Sequence, residues 1–76
     1  METLSGKTMK YNVGDLFVDT VSKDSKILSY IFRIDHELHL DYYWTRYLNA
    51  DYKDSYWIAE ELDHWKESDI DYYPVK

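Results

Sequence analysis

The stretch Lys26–Leu48, KILSYIFRIDHELHLDYYWTRYL, sets the tightest limits on what this chain can fold into. Leu28, Tyr30, Phe32 and Ile34 recur at period two in its first half, and Leu38, Leu40, Tyr42 and Trp44 in its second. Alternation of this kind, filled with β-branched and aromatic residues, is the pattern of a half-buried strand. The polar cluster Asp35-His36-Glu37 between the runs has the length of a hairpin connection. A long antiparallel hairpin is expected, with these two sets of side chains turned to the core and Trp44 among them.

The rest of the chain supplies shorter elements. Asn12-Val13-Gly14-Asp15 is turn chemistry, with Gly14 giving the backbone its freedom. Leu16 to Val21 reads as a first strand, and Ser22-Lys23-Asp24-Ser25 as the loop that leads into the hairpin. A polar connection, residues 49–54, precedes a brief strand at Ser55-Tyr56-Trp57-Ile58. The period then changes: Ile58, Leu62 and Trp65 are spaced four and three apart, one stripe of a short helix across Ile58 to Lys66. Ile70 to Val75 makes a last strand, placed at an edge because Pro74 lacks a ladder donor. These elements predict a mainly β domain over residues 11–76, with a flexible segment over residues 1–10. The expected form is a small SH3-like barrel, or a strongly bent antiparallel sheet of about five strands with one short helix near the C-terminus.

At 76 residues there is room for one domain whose core must be economical. No cysteine is present, so neither disulfides nor thiolate zinc sites can brace it. Nine Tyr, three Trp and two Phe take their place, too many for all to lie inside. No apolar run approaches the roughly 18–20 residues needed to span a bilayer, and a cytoplasmic protein is expected.

Tyr11 to Asp19 (YNVGDLFVD), Glu61-Leu62 and the closing Tyr72-Tyr73-Pro74-Val75 together resemble small uncharacterised SH3-like proteins of phages and mobile elements of Gram-positive bacteria. The resemblance spans Tyr11 to Val75 and brings no catalytic residues with it. It implies an accessory protein working inside a bacterial host cell.

His36 and His39, with Asp35, Glu37 and Asp41, have some of the side chains of a metal site. On a strand, however, residues three apart face opposite ways, and His64 is distant in the chain. The chain has no cysteine nucleophile and no Gly-x-Ser-x-Gly elbow, and only two glycines for a phosphate-cradling loop. No catalytic, metal or cofactor site is assigned, and an enzyme is not expected.

Charge says more. Residues 1–34 carry four acids and five bases, residues 35–76 eleven acids and four bases, within a net charge of −6. A one-signed surface of this kind draws in a basic partner and disfavours direct binding of nucleic acid. The acids alternate with aromatics, as in Asp54-Ser55-Tyr56-Trp57 and Asp69-Ile70-Asp71-Tyr72, and Tyr and Trp are favoured at interface centres. The expected role is a small non-enzymatic acidic binding protein that engages a basic site on a host nucleic-acid-binding protein, such as a nuclease. It would act by DNA mimicry, in the manner of anti-CRISPR or anti-restriction inhibitors. The partner face is assigned to Asp51, Asp54, Tyr56, Glu60, Glu61, Asp69, Asp71 and Tyr72. Two alternatives stand beside it: a nucleic-acid-binding barrel using Lys23, Lys26, Arg33 and Arg46, and a self-associating module that buries its surplus aromatics in a homodimer.

Overall fold

A computed structural model of the chain describes residues 10–75. Five strands form one antiparallel sheet: β1 (Leu16–Ser22), β2 (Ser25–Glu37), β3 (Leu40–Tyr47), β4 (Ser55–Trp57) and β5 (Ile70–Tyr73). The spatial order is β4-β3-β2-β1-β5, so the sheet is open, with β4 and β5 as its edges. Of the two architectures expected, the molecule adopts the open sheet rather than a closed barrel. The eight-residue helix α1 (Ala59–Lys66) carries the chain across the sheet from one edge to the other. Pro74 follows β5, where no further strand needs its missing donor. The expected flexible segment falls outside the described residues except at Lys10, whose Nζ lies 2.6 Å from Asp63 Oδ2.

The central hairpin is longer than the polar cluster suggested. Asp35, His36 and Glu37 all remain in β2, and Glu37 pairs with Leu40. The reversal therefore falls on Leu38-His39, where Leu38 adopts φ 57° and is fully exposed. Positive φ at the first central residue alone is the signature of a type II′ turn, which normally selects glycine there.

The two faces of the hairpin also differ from expectation: the inner face carries the other alternate set, and a bulge then brings Ile34 round to join it. The pairing of β2 with β3 shifts between Ile31 and Arg33, so Phe32 is an extra residue opposite Trp44. One inserted residue reverses the parity of everything beyond it. Ile27, Ser29 and Ile31 face the helix, as do Ile34 and His36 past the bulge. Leu28, Tyr30 and Phe32 face away, together with Arg33 and Asp35. On β3, Tyr43 and Thr45 face the helix while Tyr42 and Trp44 do not. The set Leu28, Tyr30, Phe32 and Ile34 is thus split between faces, and Trp44 is not a core residue.

The core lies between the inner sheet face and α1. Tyr11, Phe17, Ile31, Tyr43 and Leu62 are all at most 1 % exposed, with Trp57, Trp65, Ile70 and Tyr72 packed against them. The helix is built as its spacing required: Leu62 is buried and Trp65 meets Phe17 edge-on at 5.3 Å. Ile58 has extended backbone before the first turn, and its N–H donates to Glu61 Oε1 at 3.0 Å. That contact satisfies one of the donors a helix start leaves open.

Asp15 ties the first and last described segments to this core. Its Oδ2 accepts the Tyr72 hydroxyl at 2.7 Å and the Asn12 N–H at 3.0 Å, and its Oδ1 accepts the Val75 N–H at 2.9 Å. The preceding turn closes with Asp15 N–H donating to the Asn12 carbonyl. Gly14 sits there at φ +103°, and a Cβ on it would approach Val75 Cγ2 to 3.2 Å. Glycine meets both demands.

Candidate functional site: an aromatic cleft on the helix side

The eight residues assigned to a partner face do not form one face. Tyr56 projects from β4 on the side away from the helix, where its ring lies 5.0 Å from Trp44 and 5.5 Å from Tyr42. Asp71, paired with Val18, is on that same outer side. Asp69 lies in the turn before β5, outside the strand that carries Asp71. Glu60 and Glu61 belong to α1 on the opposite side, and Glu61 is occupied with the helix start. Tyr72 points inward, stacked on Phe17 at 5.2 Å with its hydroxyl on Asp15. Burial, with the Asp15 contact second, pushes its phenol up to about 12. Tyr72 serves the core and is withdrawn from any partner face.

Several charges are spent within the fold. Arg46 forks onto Asp54, with Nε to Oδ1 at 3.2 Å and Nη2 to Oδ2 at 2.9 Å, holding that carboxyl below its usual range. Asp63 is likewise held low, first by Lys10 and then by the Tyr11 hydroxyl. Arg33 pairs with Asp35 at 3.0 Å, and Asp35 also accepts the Trp44 indole N–H at 2.9 Å. His36 bonds Asp41. Among the described residues, no group of three His, Cys, Asp or Glu side chains converges as a metal site would require.

The space the sequence did not anticipate lies beside α1 on the inner sheet face. A cleft opens there, walled by two aromatic pairs: Tyr47 with Tyr52, rings 5.1 Å apart and edge-on, and Trp57 with Trp65 at 4.7 Å. Asp19 of β1 and Ser29 of β2 also line it. Trp57 is fixed by its indole N–H, which donates to Thr45 Oγ1 at 2.9 Å. Tyr52 is 60 % exposed and stands at the mouth. Four of the assigned acids adjoin this region. Asp51 precedes Tyr52, Asp69 precedes Ile70 at the cleft, and Glu60 and Glu61 lie beside Trp57 and Trp65 on the helix side. The interleaving of acid and aromatic residues was the one sequence signal that pointed here. The partners Trp57 and Trp65 could not be matched without knowing how α1 crosses the sheet.

The outer sheet face has a different character. Leu16, Val18, Leu28, Tyr30, Phe32, Tyr42 and Trp44 are half-buried on it, with no helix above them among the described residues. Arg46 lies over the Phe32 ring at 4.1 Å and Arg33 over the Trp44 ring at 4.7 Å. The two arginines named for nucleic-acid binding are therefore each paired with an acid and laid on an aromatic.

The fold and this surface define a small open antiparallel sheet with one crossing helix, carrying an aromatic cleft on its helix side. No family model, no curated protein and no solved structure matches the chain.

Proposed function

We propose that the protein is a non-enzymatic binding protein that engages a basic site on a protein partner through its helix side. The observation that carries this reading is the aromatic cleft with Asp19 on its wall, adjoined by Asp51, Asp69, Glu60 and Glu61. Carboxylates around stacked rings favour a cationic visitor by charge and by ring quadrupole. The titratable groups with shifted values, Lys10, Tyr11, Tyr43, Arg46, Asp54, Asp63 and Tyr72, all act in packing or ion pairs, which is a structural and not a catalytic use. In the finer form, the partner is a nucleic-acid-binding protein of the bacterial host and the acids stand in for phosphates. The net charge of −6 supports that form. Affinity capture from host lysate tests it: the captured protein should be released by duplex DNA, and lost when Asp51, Glu60 and Asp69 are changed to Asn, Gln and Asn. A partner that stays bound under excess DNA overturns the mimicry.

The outer face favours a second reading, self-association with another copy of this chain. It carries Lys26, Arg33 and Arg46 with Asp35, Glu37 and Asp71, a mixture of signs that suits an isologous contact. The molecule is 47 Å long and 22 by 21 Å across. One face thus offers on the order of 1,000 Å², where a standard interface takes about 800 Å² from each partner. Sedimentation across protein concentration should give a dimer that Trp44→Glu returns to monomer. A monomer at every concentration removes this reading and leaves the first untouched.

A further inference from the structure

We infer that the cleft beside α1 receives a single guanidinium group, the side chain of an arginine on the partner. This deepens the function proposed above and rests on its premise that the partner is basic. The chemistry follows from what lines the space. Tyr47, Tyr52, Trp57 and Trp65 give ring surfaces on two sides, and a planar, weakly hydrated guanidinium stacks on such faces better than a compact ammonium does. The Asp19 carboxylate has two acceptor oxygens, which match the paired N–H groups of a guanidinium.

Two further features single out this space among the aromatic surfaces of the fold. Asp19 makes no ion pair among the described residues, whereas Asp35, Asp41, Asp54 and Asp63 each do. Ser29 is 5 % exposed on the cleft wall, and no hydrogen bond of its hydroxyl occurs among the described residues. A buried hydroxyl normally finds a partner. A guanidinium has five N–H donors, enough to serve both the carboxylate and this hydroxyl. Its alkyl stem would leave past Tyr52, which is more exposed than Tyr47, Trp57 and Trp65 and forms the lip of the site.

The three tryptophans make the test direct, because Trp57 and Trp65 line the cleft while Trp44 lies on the other face of the sheet. The indole N–H signals of the full chain are followed by NMR during titration with N-acetyl-arginine amide and with its neutral isostere, N-acetyl-citrulline amide. The expected result is a saturable shift at Trp57 and Trp65, none at Trp44, and none with citrulline. Asp19→Asn, which keeps the shape of the side chain, should weaken the arginine complex by at least about tenfold. Tyr52→Ser at the exposed lip should weaken it severalfold with the other amide signals unmoved. Equal shifts with citrulline, movement of Trp44 alone, or affinity unchanged in Asp19→Asn would overturn the assignment. Binding of an arginine-rich 12-residue peptide to Asp19→Asn separates the two levels of the proposal. Salt-sensitive binding as tight as that of the unmutated chain rejects the cleft and keeps the basic partner, while no binding by either protein rejects both.

Discussion

The Tyr72 hydroxyl donates to a carboxylate oxygen of Asp15 across 57 residues of chain, at 2.7 Å, in a site where Asp15 has no exposure at all. The same carboxylate accepts the N–H groups of Asn12 and Val75, so one side chain ties both ends of the described chain to β5. Asp15→Ala would leave three donors without their acceptor. It should cost about 2–4 kcal/mol in urea unfolding, since each orphaned buried group costs about 1–3 kcal/mol before relaxation. Tyr72→Phe, which removes one donor and leaves two contacts in place, should cost about 1 kcal/mol.

Folding stability should fall at both ends of the pH scale, for opposite reasons. Burial raises Tyr72 to about 12 and raises Tyr11 further, so folding favours their protonated forms. Their contribution is complete below the unfolded value of about 10 and lost as pH climbs toward 12. Asp63 is held low by Lys10 and the Tyr11 hydroxyl, so its contribution is complete above the unfolded value of about 3.9 and lost as pH falls below it. Thermal midpoints between pH 2 and 12 check both limbs. Asp63→Asn should flatten the acid limb, and Tyr72→Phe the alkaline one.

The assignment of the hairpin's inner and outer faces makes a sharper prediction. Ile31→Ala empties the core and should cost about 2–5 kcal/mol. Trp44→Ala removes a half-buried ring from the outer face and should cost less, about 1–2 kcal/mol, through lost contacts with Phe32, Tyr56 and Asp35. Paired urea titrations decide the order. A larger loss at Trp44 would mean that the outer face is the better packed of the two.

These outcomes also mark what the sequence could and could not convey. The first strand, the Gly14 turn, the helix stripe at Leu62 and Trp65 and the Pro74 edge are all local signals, and each appears where it was expected. The hairpin was legible as a hairpin, but its inner face was not. Both faces of β2 carry apolar side chains, so alternation alone does not choose between them, and the extra residue Phe32 moves Ile34 to the inner face without any mark in composition. The helix-side cleft was hidden for another reason. It joins β1, β2, the β3–β4 connection and α1, so its members Asp19, Tyr52 and Trp65 meet only through the crossover. Tyr72 was misread because its neighbours Asp71 and Tyr73 are exposed, and strand alternation turns it the other way.

Leu38 holds a left-handed backbone at the hairpin tip with its side chain wholly in solvent. Leu38→Gly removes a steric cost of about 1–2 kcal/mol while giving up no packing. Allowing for the added freedom of glycine in the unfolded chain, the thermal midpoint should rise by several degrees.

The claim that the helix side receives the partner is tested most directly by comparing two variants with the same change in net charge. One carries Asp51→Asn, Glu60→Gln and Asp69→Asn beside the cleft; the other carries Asp24→Asn, Glu37→Gln and Asp71→Asn, away from it. The association rate with an arginine-rich 12-residue peptide, measured by stopped-flow fluorescence, should fall about tenfold in the first variant. In the second it should stay within about twofold of the unmutated protein. Equal slowing in both would show that only net charge matters and would contradict a partner site on the helix side.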